Sequence, residues 1–334
     1  MTIKKLTVIA AAGAVLLAGA LGISMKLTSQ SAMEIEVPET PVVQEPLSGA
    51  HTLDAMENTP LYFDEMEKLL LPLRNVMEGL GGTVTWNPET KMTEVVYRDR
   101  TLALKAGEEQ ALLNGYDVTL PAAAEVINGC LYADEMLLSA YYTGDVDFNT
   151  ETRQVTLQTK DNTVPLIAMH VLKGAEAGRE YEIEVPVFIG LNDGNYEKNL
   201  NAEILKEMQS VGEAFLTEDE AEGKLYLHLQ TGMCTKEFIS MFWEGSESDI
   251  AVRLAKNIDL LGQKTVMLGD MLAEASMDKV KAAAGQEWTE DRFYLTEEGG
   301  LMILKGSNDN SQSIQHWATD DPLDWQKGYR ELIK

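Results

Sequence analysis

Apolar and polar positions change their period several times along this chain of 334 residues, and each change marks an element. Between 62 and 79, apolar side chains recur every three or four residues (Met66, Leu69, Leu70, Leu73, Val76, Met77), which predicts a helix stopped by Gly81-Gly82. Thr83-Val84-Thr85-Trp86 then alternates as a strand, with Trp86 expected in the core. Asn87-Pro88-Glu89-Thr90 has turn chemistry, and 92–97 returns as a second strand. A further strand is expected at 101–104. Asn114-Gly115, inside 111–118, and Asn128-Gly129 are hairpin signals. A shorter helix is expected near 134–142, followed by a hairpin over 146–157.

The pattern repeats. Gly82 aligns with Gly144, Val84 with Val146, Trp86 with Phe148, Asn87 with Asn149, and Glu89-Thr90 with Glu151-Thr152, an offset of 62 residues. Self-similarity of this kind marks duplicated supersecondary units that share a core.

After a short linker at 159–162 the second half reads differently. Tyr181-Glu182-Ile183-Glu184-Val185 alternates and predicts a strand over 180–190. Leu200, Ile204, Leu205, Met208, Val211 and Phe215 form one face of a helix over 196–216. An acidic loop (Glu218, Asp219, Glu220, Glu222) leads to three strands at 224–230, 236–243 and 250–258. A turn precedes a helical period over 268–284, and 292–295 with 301–304 make a hairpin around Gly299-Gly300. This order is α+β: two small domains, at 61–160 and 178–334, behind an N-terminal apolar helix. The segment 33–60 reads as an acidic, Pro-rich linker.

Residues 6–23 are uncharged and almost wholly apolar, with Lys4 and Lys5 before them and Lys26 after. The length suits a short spanning helix and exceeds the usual apolar run of a signal peptide. Two readings stay open: a signal peptide cut near Ala32, or an uncleaved membrane anchor. Either puts the bulk of the chain outside the membrane, and no Cys follows the run to accept a lipid. The formal charge of −27, from 54 acidic and 27 basic residues, excludes nucleic acid and an anionic membrane surface as partners. The two cysteines, Cys130 and Cys234, are expected as small buried residues.

Several of these residues carry a family resemblance. Pro72-Leu73-Arg74, Leu80-Gly81, Val84, Trp86-Asn87 and Asn114-Gly115 resemble the N-terminal "stalk" domain of copper amine oxidases. The second copy departs from that pattern, with Asp134-Glu135-Met136 in place of Pro-Leu-Arg and Tyr142-Thr143 in place of Leu-Gly. In the oxidases the metal belongs to a separate large domain, so the resemblance implies no copper. The second half resembles an extracytoplasmic domain of largely unknown function, found in lysozyme-binding anti-sigma factors and beside peptidoglycan deacetylases. The phrases carrying it are Asn257-Ile258-Asp259-Leu260 through Asp270-Met271-Leu272, and Phe293-Tyr294-Leu295-Thr296 with Gly299-Gly300-Leu301. Where that family often has a Gly-Ala-His loop, this chain has Glu244-Gly245-Ser246-Glu247-Ser248-Asp249.

Little in the chain points to catalysis. His51, His170, His228 and His316 are isolated, without ligand-like spacing. Asp145-x-Asp147-x-Asn149 opens like a calcium loop, but Thr150 and Thr156 replace the required Gly and Glu, and the positions read as strand and turn. No nucleophile elbow, phosphate loop or zinc-protease motif is present. Phe242, Trp243, His316, Trp317 and Trp325 are the candidate ligand-binding residues, as an aromatic face for sugar or peptide; core packing is the competing reading. The expectation is a non-catalytic envelope protein of Gram-positive type, without metal or cofactor. Its expected partner is the cell wall or a basic extracellular protein such as lysozyme. A signalling component of anti-sigma type, or an accessory to a wall-modifying enzyme, is the alternative.

Overall fold

The computed structural model describes residues 49–53, 62–63, 69–142, 145–149, 151–152, 154–159, 165–217, 222–247, 250–284, 288–304, 314–317, 323–326 and 329. The apolar segment 6–23, the region of Ala32 and most of the 33–60 linker lie outside the described residues.

The first domain runs β1 (Gly49–Leu53), β2 (Tyr62–Phe63), β3 (Leu69–Pro72), α1 (Leu73–Gly79), β4 (Thr83–Asn87), β5 (Met92–Tyr97), β6 (Arg100–Leu104), β7 (Gln110–Leu113), β8 (Tyr116–Thr119), β9 (Glu125–Ile127), β10 (Cys130–Asp134), α2 (Glu135–Tyr141), β11 (Asp145–Asn149) and β12 (Gln154–Thr159). At the 62-residue offset, α1, β4 and β5 coincide with α2, β11 and β12 at both ends. Both hairpins close on the same device. Asn87 Oδ1 accepts from the N–H of Glu89 (2.9 Å) and Thr90 (3.2 Å), and Asn149 Oδ1 accepts from Glu151 (2.9 Å) and Thr152 (3.0 Å).

The two copies meet through β3 and β10, which pair antiparallel: Leu70 with Asp134, Leu71 with Ala133, Pro72 with Tyr132. Leu71 thus faces its own counterpart, and the other two pairs exchange about it as a two-fold axis requires. β2 and β9 take the outer places, giving the order β2-β3-β10-β9. Each copy also has a third strand beside its hairpin. β6 lies on β5 with Arg100 opposite Tyr97 and Leu104 opposite Thr93. β1 lies on β12 with Gly49 opposite Thr159 and Leu53 opposite Val155, the equivalents of Tyr97 and Thr93. Residues 49–53, expected in the linker, therefore complete the second copy as β6 completes the first.

Two expectations are corrected here. The helix over 62–79 is confined to α1. Leu69, Leu70, Leu71 and Pro72 are all buried, so this run packs on every side and is held as a strand, and Pro72 disfavours helix in the residue before it. Trp86 is not core. It shares the face of buried Val84 but stands near the hairpin end, 52% exposed, with Lys91 Nζ 5.5 Å from its ring centre.

The second domain opens with β13 (Leu166–Glu176) and β14 (Arg179–Ile189), paired along their whole length and turned by Ala177 and Gly178 at φ 50° and 90°. Its sheet thus begins upstream of the expected 178. After α3 (Gly194–Leu216) come β15 (Gly223–Cys234), β16 (Phe238–Glu247), β17 (Ile250–Asp259) and β18 (Lys264–Thr265), in the sheet order β13-β14-β15-β16-β17-β18. β14 and β15 are parallel with α3 as the crossover; the other pairs are antiparallel.

Along β14 the sequence changes from alternating Glu and apolar residues to the continuous run Pro186-Val187-Phe188-Ile189, and burial changes with it. Ile183, Val185 and Phe188 pack with Leu200, Ile204, Met208 and Trp243 under α3. Val187 and Ile189, with Ala168, belong to the core of the first domain, among Leu102, Leu113 and Val155. The two cores therefore share this strand. Asn201 of α3 ties it down: Phe188 N–H donates to Asn201 Oδ1 (2.8 Å) and Asn201 Nδ2 donates to Phe188 O (2.9 Å), both buried. From the first domain, the Tyr116 hydroxyl lies beside Asn201 and Glu197, and Thr119 Oγ1 accepts from Val171 N–H at 3.0 Å. Tyr181 lies in a slot between Gly174 and Gly212, where an added Cβ would stand 2.5 and 2.6 Å from its ring.

The remainder is α4 (Leu268–Met271), α5 (Glu274–Ala284) and the sheet β19 (Phe293–Leu295), β20 (Leu301–Leu304), β21 (Ile314–Trp317). The helical period over 268–284 is broken at Leu272, which bridges to Trp325, while Ala273 N–H donates to Asp324 O at 2.8 Å. A buried polar chain fixes this layer to the main sheet. Ser240 Oγ donates to Asn257 Oδ1 (2.7 Å) and accepts from Leu295 N–H (2.7 Å), and Asn257 Nδ2 donates to Phe293 O (2.7 Å).

Replacing Asn201 with Ala orphans the Phe188 N–H and C=O in the core, so Asn201→Ala is expected to destabilise by about 2–3 kcal/mol in urea unfolding. Trp86→Ala, at an exposed site, is expected to cost less than ~1 kcal/mol by the same measurement.

Candidate functional site

The structure separates Phe242, Trp243 and Trp325. Phe242 and Trp243 are neighbours on β16 and so point to opposite faces. Trp243 is 1% exposed, packed beneath α3, and its Nε1–H donates to Glu184 O at 2.6 Å. Phe242 stacks on Tyr294 with ring centres 3.9 Å apart and planes 17° from parallel, against Leu304. Trp325 is half-buried in a third cluster around Met271, Phe293 and Leu323. His316 and Trp317 lie on β21, opposite Met302 and Leu301; their side chains fall outside the described residues. Phe242, Trp243 and Trp325 thus belong to separate packing clusters and form no common face.

A shallow pocket of about 390 Å³ lies where three turns meet beside the start of α3, lined by Leu191, Asp193, Tyr196, Lys236, Leu261 and Gln263 among others. Its acids are occupied by the fold. Asp193 Oδ1 accepts from the N–H of Asn195 (2.9 Å) and Tyr196 (3.1 Å), and Gln263 Nε2 donates to Asp193 Oδ2 at 3.2 Å. The Tyr196 N–H, followed by Gln263, holds the Asp193 carboxyl below its usual range. Glu197 Oε2 accepts from Gly190 (2.8 Å) and Leu191 (2.9 Å). These carboxylates serve as caps and turn ties.

The same employment recurs elsewhere. Glu184 Oε2 accepts from Leu229 N–H (2.8 Å) where β14 and β15 part, and pairs with His228 Nδ1 at 2.7 Å. Arg179, 2% exposed, donates from Nε to Phe215 O (2.7 Å) at the end of α3, lies 4.0 Å from the Phe215 ring centre and faces Glu247 at 3.8 Å. Among the described residues no three His, Cys, Asp or Glu side chains come together in a group that could hold a metal ion. The calcium-like Asp145 and Asp147 lie along β11, and Asn149 is the turn cap described above.

Both cysteines are free thiols. Cys130 is exposed at the start of β10, contrary to the buried position expected, because it follows the Asn128-Gly129 turn at the sheet rim. Cys234 is half-buried, and burial pushes its thiol up to about 11. The described residues contain no helix long and apolar enough to cross a membrane.

With this geometry in place, comparison with known proteins is informative for the first domain. Residues 52–157 match the family described as "Copper amine oxidase N-terminal domain". The match spans 106 of the 334 residues. Its bounds reach from β1 to β12 and so take in both copies of the repeat. A protein from Brevibacillus choshinensis named "Protease inhibitor" is 25% identical over 256 residues, covering 72% of this chain and 75% of that protein. Two crystal structures of DUF3298 family proteins are similar to this chain. One, from Bacteroides fragilis, is 11% identical, covers 46% of this chain and 90% of its own, and has a TM-score of 0.32. The other, from Pseudomonas aeruginosa, is 16% identical, covers 35% of this chain and 59% of its own, and has a TM-score of 0.23.

At about pH 8 a thiol reagent is expected to modify Cys130 within the mixing time and Cys234 only on unfolding, because Cys234 stays protonated and shielded. Mass spectrometry of the labelled peptides checks this, and equal labelling would contradict the burial of Cys234.

Proposed function

We propose that this chain is an exported, non-catalytic binding protein whose partner is a secreted protease. The observation that carries the reading is the extent of the likeness to the Brevibacillus choshinensis protein. At 256 residues it is far longer than the copper amine oxidase N-terminal domain alone, so it reaches beyond the repeat. The local chemistry agrees. Glu184, Asp193 and Glu197 are taken up by backbone N–H groups, and Phe242, Trp243 and Trp325 are divided between packing clusters. What the molecule presents is shape and negative charge, which suits recognition of another protein. Export follows from the apolar segment 6–23 with its basic flank, whether it stays as an anchor or is cut near Ala32.

Titration of the full chain against secreted serine, cysteine and metalloproteases, read by hydrolysis of a peptide substrate, tests the reading. At least one protease is expected to lose activity in proportion to added chain, while the chain stays uncleaved on a denaturing gel. The loss is expected to persist at ~0.3 M salt, where exposed-charge attraction is largely screened. Full activity of every protease, with digestion of the chain, would overturn it. Inhibition of lysozyme instead would move the partner to the lysozyme-like protein that the second resemblance implies.

A further inference from the structure

We propose that the outer edge of β17 is a docking site for an extended, basic segment of a partner protein, which adds to the main sheet as one more strand. This deepens the protein-partner reading by naming the surface and the chemistry it takes.

β17 pairs along its whole length with β16, from Glu247 opposite Ile250 to Phe238 opposite Asp259. On its other side, among the described residues, only its last part is covered: Ile258 and Asp259 pair with Thr265 and Lys264, and Val266 N–H donates to Asn257 O at 2.8 Å. From Ile250 to Lys256 no described strand lies beside it. The Asn257 bond fixes which groups face outward. In an antiparallel ladder a residue's N–H and C=O point the same way and alternate along the strand. Asn257 faces out, so Ala255 and Ala251 do as well, while Ile250, Val252 and Leu254 bond to β16. A row of outward amides and carbonyls beside a well-packed strand is the template for strand addition.

The electrostatics select the occupant. Cationic side chains often guard such edges, but here they are neutralised from within. Arg253 is held by Glu244, its Nε 2.8 Å and Nη2 2.6 Å from Oε1. Lys256, 8% exposed, has its Nζ 2.6 Å from Glu207 Oε2 and 3.5 Å from Glu203 Oε1 on α3. Glu203 and Glu207 keep side chains 64% and 49% exposed, so the α3 flank of the edge is acidic. A second copy of this chain, itself at −27, is repelled, and an extended segment with Lys or Arg at alternate positions is drawn in.

The probe is a capped peptide of alternating lysine and valine, about seven residues long, titrated onto the full chain. Hydrogen exchange at the amides of Ala251 and Ala255 is expected to slow on binding. The matched glutamate–valine peptide is expected to bind at least about tenfold more weakly. In Ala255→Pro the substitution removes an outward N–H that β16 does not use, so the fold is retained while peptide affinity falls at least about tenfold; Ala255→Ser is expected to bind as the parent does. Equal binding by Ala255→Pro, no binding by the parent chain, or protection elsewhere would overturn the proposal. Should Ala255→Pro fail to fold, a peptide N-methylated on alternate residues makes the same test from the other side, and undiminished binding would again overturn it. The outcomes are separable from the inhibitor reading. An Ala255→Pro chain that still inhibits a protease fully removes the edge and leaves the inhibitor, whereas peptide binding at Ala251 and Ala255 without any inhibition does the reverse.

Discussion

The second half of β14 is the constraint on which the rest of the structure depends. Pro186 to Ile189 is buried on both faces, which a strand tolerates only when something apolar covers each side. One cover is α3, held by the Asn201 clamp on Phe188; the other is the first domain, which takes Val187 and Ile189 into its own core. Neither cover is optional, because exposing that run would return large apolar side chains to water. The first domain is therefore a structural part of the second, and the β7–β8 hairpin meets α3 through Tyr116 for the same reason.

A chain with twice as many acidic as basic residues invites the question of what the carboxylates do, and for several of them the structure gives a local answer. Asp193 caps α3, Glu197 and Glu184 accept from backbone N–H groups, and Asp134 accepts from Met136 N–H at the start of α2. A carboxylate whose oxygens accept amide hydrogens is directed at the backbone and away from a substrate. The buried cations Arg179 and Lys256 are placed by the same economy, each against the acids or carbonyls of α3 and its neighbours.

What could be read from sequence divides along local and non-local lines. The hairpins at Asn114-Gly115 and Asn128-Gly129 and the turns at Asn87 and Asn149 were legible because a few adjacent residues decide them. The face of α3 was legible because Leu200, Ile204 and Met208 keep a helical period whatever covers them. The failures are places where a distant partner decides. Leu69 to Pro72 reads as helix until β10 is available to pair with it, and 49–53 reads as linker until β12 is. The break at Leu272 depends on Trp325, more than fifty residues further on. Trp86 was misjudged, and Phe242 and Trp243 were left between a binding face and the core, since an aromatic residue on a strand carries no sign of whether the core reaches it.

The pairing of β3 with β10 has the symmetry of an assembly. Leu71 opposite Ala133, with the flanking pairs exchanging about them, is the register of an isologous contact, the kind two identical subunits make across a dyad. Even the third strands obey it, since β1 and β6 occupy equivalent berths although one precedes the duplicated stretch and the other sits inside it. The domain is thus built as a homodimer written on one chain. One chain thus makes within itself the contact that two separate copies would have to find by diffusion, so its formation does not depend on concentration.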